Sequence, residues 1–161
     1  MPIVKLPDFL PAAAQQLSEP SSIDLAQRIQ RISVPTPLCD APIPTAFARR
    51  GKGATPIWLL HGFDSSLLEF RRLMPHLAAQ QETWAVDLLG FGFSDRTISP
   101  SFDPAAIKLH LHSFWQQQIQ RPVVLVGASM GGAAAIDFAL SYPDTVSQLV
   151  LLDSAGFANG P

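Results

Sequence analysis

Ser129 sits at the centre of Gly127-Ala128-Ser129-Met130-Gly131, between an aliphatic run, Val123–Val126, and a run of small residues, Gly132–Ala135. The order reads as a buried strand, a tight elbow and a helix, with the serine at the tip. Gly127 and Gly131 suit that place because a strained elbow presses its backbone against its neighbours and leaves no room for side chains. The helix start aims backbone N–H groups and a positive dipole end at the hydroxyl. Such a setting favours an attacking serine whose intermediate carries developing negative charge. The plainer alternative is an ordinary strand-to-helix turn in which the serine only caps the helix.

A second chemical group stands at the end of the apolar run Ile57–Leu60, where the chain reads His61-Gly62-Phe63. Sites on parallel sheets gather at the carboxyl ends of the strands. The backbone N–H of Phe63 can there join that of Met130 as an oxyanion hole. The His61 side chain reads as a turn-stabilising hydrogen-bonding group rather than a base. His76, His110 and His112 fall in helical patterns and read as surface or half-buried residues. His110 and His112 are two apart on a helix and share no face, which argues against a metal pair. Asp153 closes the run Gln148–Leu152 and reads either as a catalytic acid or as a strand-end turn residue. No histidine follows Ser129.

Positioning these groups requires alternating elements. A short helix is expected over Ser22–Ile29, starting near Ser22 or Asp24. Ile29–Val34 and Ile43–Arg49 form a hairpin across the turn Pro35–Pro42. Ser66 precedes Glu69 by three residues, a capping box opening a helix with Leu67, Phe70, Leu73 and Leu77 inward, which Pro75 kinks or splits. Thr83–Leu88 is the next strand, followed by a glycine-punctuated loop, Gly90 to Asp95. Asp103-Pro104 starts a helix carrying Ile107, Leu111, Phe114 and Trp115 on its apolar stripe. The elbow helix runs to about Leu140. Four apolar strands alternating with three helices make an α/β fold: a mostly parallel sheet, helices on both faces and an N-terminal antiparallel hairpin. Residues 1–28 read as an arm over the core, and residues 29–161 as part of one domain.

Bulk composition narrows the function. The chain has 161 residues, 47% hydrophobic and 15% charged, with a formal net charge of −2. That is an ordinary core-forming domain with no electrostatic pull toward nucleic acid or an anionic membrane surface. No apolar run is long enough to span a bilayer. Pro2, Pro7 and Pro11 interrupt any signal-peptide core, and a lone cysteine, Cys39, forms no internal disulfide, so a cytoplasmic setting is expected.

Three ordered stretches carry a family resemblance: His61-Gly62-Phe63-Asp64, the Asp87-x-x-Gly90-x-Gly92-x-Ser94-Asp95 loop, and Gly127-Ala128-Ser129-Met130-Gly131-Gly132. Together they resemble the α/β-hydrolase superfamily, and within it the esterase, C–C hydrolase and cofactor-free haloperoxidase branch, over roughly residues 43–157. The resemblance implies Ser129 as the nucleophile of a Ser–Asp–His triad and the backbone of Phe63 and Met130 as the oxyanion hole. Asp87, Ser94 and Asp95 match positions that shape a loop. Asp at the position of Ser129 marks related dehalogenases, so dehalogenation is not expected. No metal or organic cofactor is implied. Phe63, Met130 and Phe157 at the mouth would favour a small, apolar, ester-like substrate.

In that family the histidine comes late in the chain, after the acid. Without it the hydroxyl is a poor nucleophile. Three accounts follow: this is the N-terminal half to two-thirds of a longer hydrolase, a second chain completes it, or it is a non-catalytic binding or scaffold protein. The first is expected, with very low activity for the 161 residues alone. An apolar edge strand at Leu149–Asp153 supports it, since such an edge invites aggregation unless covered.

Overall fold

Six strands form one sheet in the order β1-β2-β4-β3-β5-β6 in the computed structural model, which describes residues 5–97 and 101–156. The strands are β1 (Gln30–Thr36), β2 (Cys39–Arg50), β3 (Ile57–Leu60), β4 (Thr83–Val86), β5 (Val123–Ala128) and β6 (Val146–Leu152). The helices are α1 (Pro20–Arg28), α2 (Met74–Ala78), α3 (Pro104–Phe114) and α4 (Met130–Ser141). β1 and β2 form the antiparallel hairpin, and β2 pairs antiparallel with β4. β3 runs parallel to both β4 and β5, and β5 runs parallel to β6. Four parallel strands joined through helices therefore follow the alternation legible in the sequence.

Each buried strand sends successive side chains to opposite faces. One face carries Phe47, Trp58, Trp84 and Leu125 against Phe114 of α3 and Phe138 of α4. There the Trp58 ring stacks on Phe114 at 5.9 Å and meets Phe138 edge-on at 5.5 Å. The other face carries Ala46, Ala48, Leu59, Ala85 and Val126 under Leu25, Leu67, Phe70 and Met74.

Several local expectations are corrected. The hairpin turn is tight: Thr36 already pairs with Cys39, so the turn is not the eight-residue Pro35–Pro42. α1 starts at Pro20, whose fixed φ suits the first turn, rather than near Ser22 or Asp24. The helix expected after Ser66 splits into a 3-10 turn, Leu67–Phe70, and α2, with Pro75 in the first turn of the latter. The split shifts the phase, so Met74 is buried and Leu73 lies exposed. β4 ends at Val86, two residues early. His110 is fully buried, not at the surface: its Nε2 lies 2.7 Å from Thr45 Oγ1. That hydroxyl donates to the Ile43 carbonyl, so it accepts from an Nε2–H. Burial lowers the His110 pKa to about 4.

Among the described residues β6 pairs on one side only, and Leu149, Val150 and Leu152 are exposed along it. An apolar depression of about 250 Å³ beside it is walled by Ile57, Leu73, Leu77, Val124 and Val150.

Candidate functional site

β5 ends at Ala128 and α4 begins at Met130, leaving Ser129 alone in the turn with φ 50° and ψ −117°. A non-glycine residue held there costs about 1–3 kcal/mol and persists only where the surroundings over-determine it. Here they do. The Ser129 N–H donates to Leu152 O at 3.0 Å, and its carbonyl accepts from Gly132, Ala133 and Ala155 at 3.0, 3.3 and 2.9 Å. A Cβ on Gly127 would strike the backbone of Gly131, and one on Gly131 would strike the carbonyls of Leu60 and His61. The Ser129 side chain is exposed and accepts no helix N–H. A helix-capping serine therefore does not describe it.

The loop after β3 lies directly against this elbow, since a Cβ on Gly62 would sit 3.4 Å from Ser129 Cβ. Its geometry is set by side chains. His61 is fully buried, and its Nε2 accepts from the Leu88 N–H at 3.0 Å. The proton therefore sits on Nδ1, which donates to Gly62 O at 2.8 Å. Burial lowers the His61 pKa and keeps the ring neutral. The 3.8 Å approach of Nε2 to Asp87 Oδ1 is consequently no ion pair, because that lone pair is already occupied. The Gly62–Phe63 peptide is trans, so holding its carbonyl fixes the opposite direction of the Phe63 N–H. The Gly62 N–H donates to Glu69 Oε2 at 3.0 Å. Met130, as the first residue of α4, has an N–H with no intrahelical acceptor. Phe63 itself is 73% exposed and meets Phe91 edge-on.

Asp87 braces the loop from below. Its Oδ1 accepts from the Leu67 N–H and its Oδ2 from the Phe93 N–H, each at 2.6 Å. Burial outweighs these bonds and raises its pKa to about 7. Ser94 Oγ accepts from the Ala46 N–H at 2.9 Å, tying the same loop to the hairpin. Asp95 closes a small turn by accepting from the Thr97 N–H at 2.7 Å.

Asp153 lies exposed just past β6, with φ 46°. The structure brings its backbone beside the elbow, through the Leu152 and Ala155 bonds to Ser129, but draws no Ser129–Asp153 hydrogen bond. None of the four histidines hydrogen-bonds Ser129. His61 and His110 are engaged elsewhere, His112 stacks on Tyr142 at 3.8 Å, and His76 is exposed on α2. Phe157 lies outside the described residues. Among those described, no group of three or more His, Cys, Asp or Glu is placed to hold a metal ion. The tie between Glu69 and Gly62 has no signal in the Ser66-x-x-Glu69 spacing, which suggests a reciprocal cap. Ser66 does accept, from the Leu68 N–H, but the carboxylate turns to Gly62 instead.

The chain as a whole, sheet and elbow included, is similar to known proteins. The α/β-hydrolase fold family profile covers residues 55–160. The chain belongs to this family. It is 41% identical to the alpha/beta hydrolase domain-containing protein VTE7 of Arabidopsis thaliana, over 96% of this chain and 48% of that protein. Lipase 1 of Psychrobacter immobilis is 36% identical over 69% of this chain and 35% of its own length. A thermophilic esterase from Thermogutta terrifontis superposes with a TM-score of 0.73 at 29% identity, over 82% of this chain and 48% of the esterase. The chain thus spans about half the length of VTE7 and about a third of the lipase. Relatives in this family include lipases and esterases. No described helix is long and apolar enough to cross a membrane.

Proposed function

We propose that Ser129 is the nucleophile of an ester hydrolase that works through an acyl-enzyme. The strained, exposed serine carries this reading, since the fold holds its backbone at four hydrogen bonds and leaves its hydroxyl uncommitted. The substrate carbonyl sits between the elbow and the β3 loop. Its oxygen accepts from the Phe63 and Met130 N–H groups as Ser129 Oγ attacks. His61 acts as a positioning residue, aiming the Phe63 N–H through the Gly62 carbonyl. The substrate is a small apolar ester, because the mouth carries Phe63 and Met130.

No imidazole in the described residues takes the Ser129 proton, so the 161-residue chain is a weak catalyst. Oxyanion donors alone leave about 10³–10⁴ over water. Asp153 is the candidate acid for a histidine supplied from outside these residues, supported by the backbone bonds of its neighbours Leu152 and Ala155 to Ser129. The same lack of a base favours a second reading, a ligand-binding protein on a hydrolase fold. Labelling with a fluorophosphonate followed by peptide mapping decides between them. Slow labelling confined to Ser129 and lost in Ser129→Ala is expected. Labelling that survives Ser129→Ala removes the nucleophile assignment, and labelling as fast as in a complete serine hydrolase overturns the low activity.

A further inference from the structure

A cleft of about 190 Å³ runs between α3 and α4, beginning one residue from Ser129. Met130, Ala133 and Ala134 form its α4 wall, and Ile107 with Phe102 forms the facing wall. Residues 130, 133, 134 and 137 lie on one helical stripe. The two alanines at its centre leave the gap unfilled, since a longer side chain there would occupy it. At the far end Lys108 Nζ meets Asp137 Oδ1 at 3.0 Å. The cleft is therefore apolar along its length and ionic only at its stop. Phe102 remains 47% exposed at its rim, apolar surface that a ligand would cover.

We propose that this cleft receives the acyl chain of the ester and that the Lys108–Asp137 pair sets its length limit. The assignment rests on Ser129 as nucleophile. Met130 supplies both terms of the geometry: its N–H faces the acyl oxygen, and its side chain opens the cleft into which the attached chain passes. A methylene group takes about the space of a water molecule, ~30 Å³, so the volume admits about six. Each one buried strengthens binding roughly fourfold. A longer chain has to desolvate the ion pair, which ends the gain.

Linear fatty amides of increasing length, titrated into the 161-residue protein, test the cleft without catalysis. Methyl NMR reads Met130, Ile107 and Ala133. Saturable shifts at these methyls are expected, with Kd falling roughly fourfold per methylene and levelling after about six. Ala133→Leu should erase the length dependence, and Lys108→Met should extend it to longer chains. A Kd independent of length in the unsubstituted protein, or shifts confined to other methyls, overturns the proposal whatever the variants do. The fluorophosphonate experiment separates the two claims. Length-dependent binding without labelling keeps the chain-binding cleft and removes the nucleophile, whereas labelling without length dependence removes the cleft alone.

Discussion

The loops after β3 and after β6 flank the same elbow, yet they are held in different ways. After β3 the backbone is tied to side chains: His61 takes the Gly62 carbonyl, Glu69 the Gly62 N–H and Asp87 the Leu67 N–H, the same carboxylate holding Phe93 of the loop after β4. After β6 the path is held by two backbone bonds with Ser129 and one local tie, Ser154 Oγ donating to Ala155 O at 2.7 Å, and Asp153 lies exposed. β3 is also enclosed between β4 and β5, whereas β6 has one partner among the described residues. The β3 loop is thus organised by side chains of this chain, whereas the loop carrying Asp153 is placed mainly by the elbow.

The sharpest way to break that contrast uses glycines from the two sides. Gly131→Ala drives a methyl into two backbone carbonyls that have nowhere to go, and should cost about 3 kcal/mol or more. Gly156→Ala meets nothing nearer than 3.7 Å among the described residues and costs, for its φ of 96°, about 1 kcal/mol. Urea denaturation midpoints compare the two, and equal losses would remove the distinction.

Next in size is Asp87→Asn, expected to destabilise by about 1–3 kcal/mol. An amide offers one acceptor oxygen to two buried N–H donors, so one of them is orphaned. Its pH signature has a definite sign. The native carboxyl titrates near 7 instead of 3.8, so between those values the folded state binds more protons than the unfolded one. Its contribution is present at low pH and lost as pH rises through about 7. His110, lowered from 6.5 to about 4, acts oppositely: stability grows as pH climbs from about 4 to 6.5. Denaturation of the Asp87→Asn protein should therefore show only the rising limb. A falling limb retained in the variant would remove Asp87 as its source.

Smaller effects are expected on labelling. Glu69→Leu frees the Gly62 N–H and should slow fluorophosphonate labelling of Ser129 about tenfold, less than deleting an oxyanion donor outright. Asp153→Asn should leave the rate within about twofold, because an acid has no imidazole here to orient. A large Asp153 effect would make the β6 loop part of the working site. Last, Val150→Lys on the open edge should change stability by no more than about 0.5 kcal/mol while reducing self-association, read by light scattering.

Much of this protein was legible in its residues because the relevant rules are local. The elbow follows from Gly127, Ser129 and Gly131 set between an aliphatic run and a small-residue run. The parallel sheet follows from apolar runs alternating with helical stripes, and Pro75 splits its helix by sterics any sequence would obey. What escaped such reading depended on which donor lies nearest in space. Glu69 had a fitting partner within its own turn, and only the packed β3 loop turned it to Gly62. His110 carried no mark of burial until α3 settled over Thr45, and the proton on His61 was decided by an N–H from Leu88, 27 residues away. The cleft between α3 and α4 exists only because two helices, each ordinary alone, leave space between small side chains. Local chemistry determined the elbow that carries Ser129, while hydrogen-bond partners and empty space belong to the tertiary structure, since both are properties of pairs of segments rather than of either one.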